Sequence, residues 1–176
     1  MKKLILLIAI LAGSLQADFI RVWGGGNLNA QKDYHIWALG KHFLPIIPNV
    51  RVEYTQMVNI ANKEVFAYYN FLDNTLWTTL DLGVGISEIE GKIEPSAFVR
   101  ARMQAPLTSF GAEIVMKVSA LDIEKYQDTV VKIDYTLLDL VFVDIALEVG
   151  YRQSLYALDM VQFQDSQAFV GASLRL

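Results

Sequence analysis

The sequence lacks several features on which whole classes of protein depend. It contains no cysteine, which excludes disulfide bridges, thiolate metal sites and a lipid-modified amino-terminal cysteine. It contains only two histidines, His35 and His42. On one strand these two would face opposite sides about 23 Å apart, at about 3.3 Å per residue. They therefore cannot share one catalytic or metal site, and no cofactor is expected.

Positive charge is also scarce, because lysine and arginine number 15 against 19 acidic residues and the net charge is −4. Nucleic acids bind clusters of lysine and arginine, so no nucleic-acid partner is expected. Long apolar runs are missing as well. Although 53% of the residues are hydrophobic, no stretch of about 18 apolar residues follows the amino-terminal region, which argues against helical membrane spans.

The amino terminus has the three parts of an export signal. Lys2 and Lys3 precede an apolar run over residues 4–12, and small and polar residues follow as far as Ala17. The apolar run of about nine residues is too short to cross a bilayer as a helix, which takes about 20. The segment is therefore predicted to be a leader rather than an anchor.

We predict a signal peptide over residues 1–17, cleaved after Ala17, with cleavage after Gly13 or Ser14 as the alternatives. Residues 18–176 then form a single domain. Export without a cysteine is inconsistent with the lipoprotein route.

Past the leader, apolar and polar residues alternate along the chain. Between Val143 and Arg152 most alternate residues are apolar, and the residues between them include Asp144 and Glu148. Alternation of period two is typical of strands with two different faces. In an exported chain it predicts an all-β fold, an up-and-down antiparallel transmembrane barrel. The predicted strands cover residues 18–26, 34–43, 49–58, 63–72, 75–89, 97–105, 111–120, 129–138, 143–152 and 168–176. The strand number is ten, or eight if the weak second and fourth strands are misread.

The predicted connections alternate in length. The short ones are 44–48, 73–74, 106–110 and Asp139, and the longer ones are 27–33, 59–62, 90–96, 121–128 and 155–167. Alternation of short turns and long loops is typical of outer-membrane barrels, and it predicts both termini on the periplasmic side. The last long segment is apolar for a loop, which favours an extension of the final hairpin over a contact surface for a partner. Gly24, Gly25 and Gly26 are expected to end the first strand at a bend.

Several stretches resemble a family of small Gram-negative outer-membrane β-barrel proteins. They are residues 44–51, 70–74, 80–85, 105–113, 146–152 and 170–174. The resemblance covers most of the chain from about Trp37 onward. It implies a barrel in the bacterial outer membrane, and the family offers no established activity, substrate or catalytic residues to carry over to this chain. The expected partners of such a barrel are outer-membrane lipids and lipopolysaccharide.

The end of the chain carries the pattern of a barrel assembly signal, Gly171, Leu174 and Leu176. Leu176 stands where barrels of this kind usually end in an aromatic residue. We expect the barrel assembly machinery to recognise this segment.

Charged residues on the inward positions are the candidates for function. They number seven positive and six negative residues: Arg51, Glu53, Asp81, Arg100, Arg102, Glu113, Lys117, Lys132, Asp134, Asp144, Glu148, Arg152 and Arg175. A barrel of eight to ten strands fills its interior with side chains, and buried charges persist there only in pairs. The expected pairs join Arg100 or Arg102 to Glu113, and Lys132 to Asp144 or Glu148.

Three functions fit this chain. The first is a non-enzymatic barrel with a charge-filled interior and a structural or surface-interaction role, which we favour. The second is a narrow channel for small polar solutes, since a wide channel needs about 16 strands. The third is a membrane-embedded hydrolase or lipid-modifying enzyme, in which a single histidine works with distant serine and aspartate residues. The aromatic residues are expected to form interfacial girdles: Trp23, Trp37, Tyr54, Tyr69, Trp77, Tyr135, Tyr151 and Tyr156.

Overall fold

The computed structural model describes residues 20–27, 33–41, 46–57, 60–140, 143–158 and 161–175. The predicted signal peptide, His42 and Leu176 lie outside these residues. The described chain forms ten strands: β1 (Ile20–Asn27), β2 (Tyr34–Gly40), β3 (Asn49–Met57), β4 (Ile60–Thr75), β5 (Thr78–Ile89), β6 (Lys92–Gln104), β7 (Phe110–Ser119), β8 (Tyr126–Leu140), β9 (Val143–Leu158) and β10 (Val161–Arg175).

The ten strands close into a barrel. Each strand pairs antiparallel with its neighbours in sequence, and β1 also pairs with β10 from Arg21 opposite Arg175 to Asn27 opposite Phe169. The predicted up-and-down antiparallel barrel of ten strands is confirmed. We call the end that holds Ile20 and Arg175 the terminal end, and the opposite end the far end. None of the described segments forms a helix long and apolar enough to cross a bilayer.

Several strands are longer than predicted, mostly toward the far end. β4 starts at Ile60 and β6 at Lys92, so residues 60–62 and 92–96, predicted to lie in connections, belong to strands. Residues 155–158 and 161–167 extend the final hairpin. The outward residues of β10 in this region are Gln162, Gln164 and Ser166, which are polar. Alternation between apolar and polar residues therefore disappears from the sequence although strand pairing continues.

The connections consequently do not alternate in length as expected. Glu90 and Gly91 alone join β5 to β6, with φ angles of 50° and 78°. β9 and β10 continue as a paired hairpin to Leu158 and Val161, as favoured for this segment. Connection lengths therefore give no basis for deciding which end faces the periplasm.

Two further local predictions are corrected at the terminal end and in β1. β4 continues to Thr75, and its turn lies at Leu76 and Trp77 rather than at residues 73–74. The three glycines at 24–26 do not end β1, because they pair with β10 on one side and with β2 on the other. β1 continues to Asn27, since the two neighbouring strands hold its backbone extended.

The outer surface of the barrel is apolar around most of its circumference. Large apolar side chains on outward positions are half exposed, for example Val84 at 67%, Ile133 at 54% and Leu147 at 51%. The exposed aromatic residues Tyr69, Trp77, Tyr135 and Tyr151 belong to this surface, and Tyr54 is partly buried. Such a band, flanked by aromatic side chains, is the surface that a barrel presents to lipid.

Two aromatic residues expected in the girdles lie inside the barrel instead. Trp37 is 2% exposed and Tyr156 is 0% exposed. Both occupy inward positions of their strands, where a narrow barrel needs large side chains to fill its interior. The side chain of Trp23 lies outside the described part of the structure.

Three inward phenylalanines lie over glycines on adjacent strands. Phe98 is opposite Gly83, Phe66 is opposite Gly85 and Phe169 is opposite Gly150. A β-carbon on Gly83 would come within 2.2 Å of the Phe98 ring, and one on Gly150 would come within 2.5 Å of Phe169. The glycines therefore provide the space in which these rings pack, as aromatic residues commonly do over strand glycines.

Candidate functional site

The inward side chains of the far half form a buried cluster of charges around Lys117. Its Nζ lies 3.0 Å from Glu53 Oε2 and 2.9 Å from Asp128 Oδ2, and it also contacts Glu64. The side chains of all four residues are at most 1% exposed. Three carboxylates thus share one ammonium group away from bulk water. Charges buried in a barrel interior need such partners of opposite sign.

Arg152 supplies a second cation to the same cluster. Its Nε and Nη2 donate to the two carboxylate oxygens of Asp128 at 2.7 and 2.8 Å, the two-bond geometry that makes guanidinium–carboxylate pairs strong. Its Nη1 donates to Thr55 Oγ1 at 3.0 Å, and Ser154 donates to Asp128 at 2.8 Å. We call Lys117, Arg152 and their partners the far cluster.

The third carboxylate of the far cluster is held by hydroxyl groups. Tyr126 donates to Glu64 Oε1 at 2.5 Å, and Ser87 donates to the same oxygen at 3.0 Å. Glu64 and Asp128 were both missing from the inward charges expected from the sequence. Glu64 falls on the weak fourth strand, and Asp128 falls in the predicted connection 121–128. Continued period-two spacing, Asp128 to Val130 to Lys132, was the signal that could have placed Asp128 on a strand.

An apolar layer lies beyond the far cluster, at the far end of the barrel. It consists of Met57, Ile60, Ile89, Tyr126 and Tyr156, all at most 6% exposed, with Phe163 packed against them. The rings of Tyr126 and Tyr156 stack with centroids 5.3 Å apart. We call this layer the cap, and it covers the far cluster.

His35 lies next to the far cluster. Its Nε2 is 2.8 Å from Glu53 Oε2, and Arg51 Nε donates to the other oxygen of Glu53 at 2.6 Å. The guanidinium carbon of Arg51 lies 4.5 Å from the centre of the Trp37 ring, a cation–π contact. Among the described residues, no group of three or more histidine, cysteine, aspartate or glutamate side chains is arranged to hold a metal ion.

A second group of ion pairs lies in the terminal half. Arg100 bridges two carboxylates, with Nη1 2.7 Å from Asp81 and Nε 3.0 Å from Glu113. Lys132 lies 3.1 Å from Glu113 and 2.7 Å from Glu148. These five residues form the terminal cluster, a chain of alternating charges that crosses from β5 to β9.

The remaining charged positions lie closer to the terminal mouth. Arg102 Nη2 is 2.7 Å from Asp134 Oδ2. Asp144 contacts Arg175 rather than Lys132. The side chain of Arg175 is 47% exposed, whereas that of Asp144 is 13% exposed. Ten of the thirteen charged residues singled out in the sequence are buried, and the exceptions are Arg102, Asp144 and Arg175.

A polar cavity of about 310 Å³ opens at the terminal end. Arg100 lies at its inner limit, and hydroxyl and charged side chains of six strands and their turns line it. The lining residues are Leu39, Lys41, Asp73, Trp77, Thr79, Arg100, Arg102, Gln104, Thr108, Thr136, Asp139, Asp144, Ala146, Ser173 and Arg175. We call this space the terminal cavity.

The predicted assembly signal lies on the closing strand. Gly171 and Leu174 belong to β10 and pair with Gly25 and Val22 of β1. Leu174 faces outward at 37% exposure. Leu176 lies outside the described residues, so the role of this segment in assembly stays a prediction.

A closed barrel with a lipid-facing exterior is the architecture of outer-membrane proteins, and it places this chain in the outer membrane. Structures with a similar chain path include the KdgM porin, at 14% identity over 89% of this chain and 96% of that one, with a TM-score of 0.47. The KdgM porin in complex with disordered oligogalacturonate gives 14% identity over the same shares and a TM-score of 0.48. The NanC porin gives 9% identity over 89% of this chain and 98% of that one, with a TM-score of 0.46. No protein-family model matches the sequence, and a search of curated proteins finds no relative.

Proposed function

We propose that the protein is a non-enzymatic outer-membrane barrel whose interior is filled by paired side chains, and that it has a structural or surface-interaction role. The observation that carries this proposal is contact across the interior between strands that are not neighbours. Arg152 of β9 reaches Thr55 of β3 at 3.0 Å, and Lys117 of β7 reaches Glu53 of β3 at 3.0 Å. Side chains that meet across the interior leave little room for a solute.

The cap supports the same proposal. Its five side chains fill the far end directly above the far cluster, so a solute would have to displace an apolar layer and then an ion-pair layer. Disruption of a buried ion pair costs about 3 to 5 kcal/mol. A barrier of that kind favours a closed interior over a permanently open path.

Conductance across planar lipid bilayers tests the proposal. We expect the intact protein to give no steady current. Tyr156→Ala removes an inward ring of the cap and is expected to produce current or fluctuating openings. Tyr151→Ala removes an outward ring from the same strand and is expected to remain silent. Steady current from the intact protein would contradict the filled interior.

A narrow channel is the second candidate, and the terminal cavity favours it. The cavity extends from the terminal mouth to Arg100, so only part of the barrel length is filled. If the terminal cluster lines a conducting path, Glu148→Gln should change the ion selectivity of a stable current without loss of thermal stability. If the cluster is structural, the same variant should unfold at a clearly lower temperature and give no current.

The enzymatic alternative has less support. His35 shares Glu53 with Arg51 and Lys117, so its ring is held in an ion-pair cluster inside the barrel. A general base needs access to the reacting group of a substrate. We expect no turnover of lipid A or peptide substrates, and turnover that is lost in His35→Gln would contradict a non-enzymatic role.

The lipid-facing surface is tested by a pair of adjacent substitutions on β9. Leu147 faces outward at 51% exposure, and Ala146 faces inward at 6%. Leu147→Arg places a charge toward lipid and is expected to cost about 2 to 4 kcal/mol, measured as lower stability of the folded barrel in lipid. Ala146→Ser should assemble normally. The opposite result would mean that the outward face does not contact lipid.

A further inference from the structure

The turns at the terminal end carry large apolar side chains that are almost fully exposed. Ile46 between β2 and β3 is 86% exposed, Leu76 between β4 and β5 is 80% exposed, and Leu107 between β6 and β7 is 106% exposed. At the far end, Leu121 between β7 and β8 is also 77% exposed, so exposure alone does not distinguish the two ends. At the terminal end the exposed apolar residues stand around the mouth of a polar cavity, and another molecule can cover such a surface. We call Ile46, Leu76, Leu107 and Trp77 the turn tips.

The backbone of two of these turns is unusual for the residues it contains. Leu76, Trp77 and Leu107 have φ angles of 52°, 62° and 61°. Glycine or asparagine is the usual residue in such turns, and bulky residues are rarely found there. Large apolar side chains therefore occupy positions where the backbone conformation favours small or polar residues. This indicates that these side chains contact another molecule.

The turn tips continue the lipid-facing surface of the barrel. Phe71 is 64% exposed and Phe110 is 53% exposed, and both lie between the outward apolar residues and the turn tips. An apolar exterior that reaches the turns brings them to the level of the lipid headgroups. The terminal cavity, which the same turns surround, then opens among headgroups.

The mouth of the terminal cavity carries charges of both signs. Lys41 pairs with Asp73 at 2.9 Å, and Arg175 pairs with Asp144. Arg102 lies deeper, at 14% side-chain exposure. A ligand with one positive and one negative group can contact both partners of such a pair, its positive group the carboxylate and its negative group the cation. A purely anionic or purely cationic ligand would contact only one partner of each pair, at a modest cost because these pairs are exposed.

We propose that the terminal cavity binds the zwitterionic headgroup of a bilayer phospholipid. Its phosphate lies toward Arg102 and Arg175, its ammonium lies toward Asp73 and Asp144, and its acyl chains leave past the turn tips. A volume of about 310 Å³ accommodates a phosphoethanolamine group, since ligand pockets of about 300 Å³ and above take small organic molecules. The site holds one lipid at the terminal leaflet.

Binding of dihexanoyl phosphatidylethanolamine to the folded barrel in a nonionic detergent tests this proposal. We expect saturable binding, measured by NMR shifts of backbone amides around the cavity. Thr136→Phe, which fills the cavity, should weaken binding at least about tenfold. Thr129→Phe adds the same side chain to the same strand away from the cavity and should leave binding unchanged. Arg175→Gln should weaken binding without disturbing the closed barrel, which is checked by the mobility of unheated protein in a detergent gel.

Two further ligands test which parts of the lipid are needed for binding. Dihexanoyl phosphatidylglycerol lacks the ammonium group and should bind more weakly. Glycerophosphoethanolamine lacks the acyl chains and should also bind more weakly. Equal binding of both lipids that survives Thr136→Phe would overturn the proposal in favour of adsorption to the apolar surface. Equally tight binding of glycerophosphoethanolamine would overturn it in favour of a soluble ligand, and an absence of binding would overturn it altogether.

Discussion

The far cluster and the terminal mouth are both built from ion pairs, and they differ in how far the paired side chains are exposed to water. In the far half the ion-paired side chains of Lys117, Glu64 and Asp128 are at most 1% exposed. At the terminal mouth the paired side chains of Arg175 and Asp73 are 47% and 57% exposed. The far cluster lies beneath the cap, whereas the terminal mouth opens into the terminal cavity.

This comparison shows that the strength of an ion pair depends on what surrounds it. Deleting one partner of a buried ion pair lowers the free energy of unfolding strongly, because the other charge stays buried without compensation. Deleting one partner of an exposed pair lowers it only slightly. The far cluster should therefore hold the barrel together, as should the similarly buried terminal cluster. The pairs at the terminal mouth should be free to change their contacts. The predictions below test that division.

The largest effect is expected for Lys117→Met, which leaves three carboxylates without their shared cation. We expect the free energy of unfolding to fall by about 3 to 5 kcal/mol, measured by urea unfolding of the barrel in lipid. Lys63→Met is the control, because Lys63 pairs with Glu88 on the outer surface, where the two side chains are 59% and 42% exposed. If both variants lose the same stability, the far cluster has no special role.

An intermediate effect is expected for Tyr126→Phe. The substitution keeps the ring in the cap but removes the hydroxyl that donates to Glu64 at 2.5 Å, and a buried acceptor that loses its donor costs about 1 to 3 kcal/mol. Tyr135→Phe, on an outward position at 44% exposure, should change the melting temperature little. An unchanged melting temperature for Tyr126→Phe would mean that the far cluster tolerates the loss of this donor.

The smallest effect is expected at the terminal mouth. Lys41→Gln breaks the pair with Asp73, whose side chain is 57% exposed, and should cost about 1 kcal/mol or less. Because salt of about 1 M screens charges beyond about 3 Å, it should reduce even this difference. Salt should leave the deficit of Lys117→Met almost unchanged. A salt-sensitive deficit for Lys117→Met would show that water reaches the far cluster.

The sequence predicted the architecture well because a barrel in lipid imposes the same alternation on every strand. The five outward apolar residues from Val143 to Tyr151 illustrate this, since each is separated by one inward residue. The prediction failed at strand ends whose outward residues are polar. Outward Gln162, Gln164 and Ser166 need no apolar side chain there, so the sequence offers no periodic signal while the backbone still pairs.

The interior was harder to predict from the sequence, because inward positions of a filled barrel accept both charged and large apolar residues. Trp37 and Tyr156 are of the residue types that form interfacial girdles, but both lie inside the barrel. The terminal cavity depends on turns and on mixed charges from distant parts of the chain, which no spacing along one strand reveals. A count of inward charges indicated pairing, but it could not identify the three carboxylates around Lys117.

The closure between β1 and β10 has a consequence for how the chain folds. The neighbouring hairpins from β1 to β10 form between segments close in sequence, but the last ladder joins Arg21 of β1 to Arg175 of β10, far apart in the sequence. Contacts between such distant segments form slowly. Until that ladder forms, β1 and β10 each present an unpaired edge on which other chains can assemble. Chains that lack the final strand can never remove these edges, so truncation near the carboxyl end should cause aggregation rather than a smaller barrel.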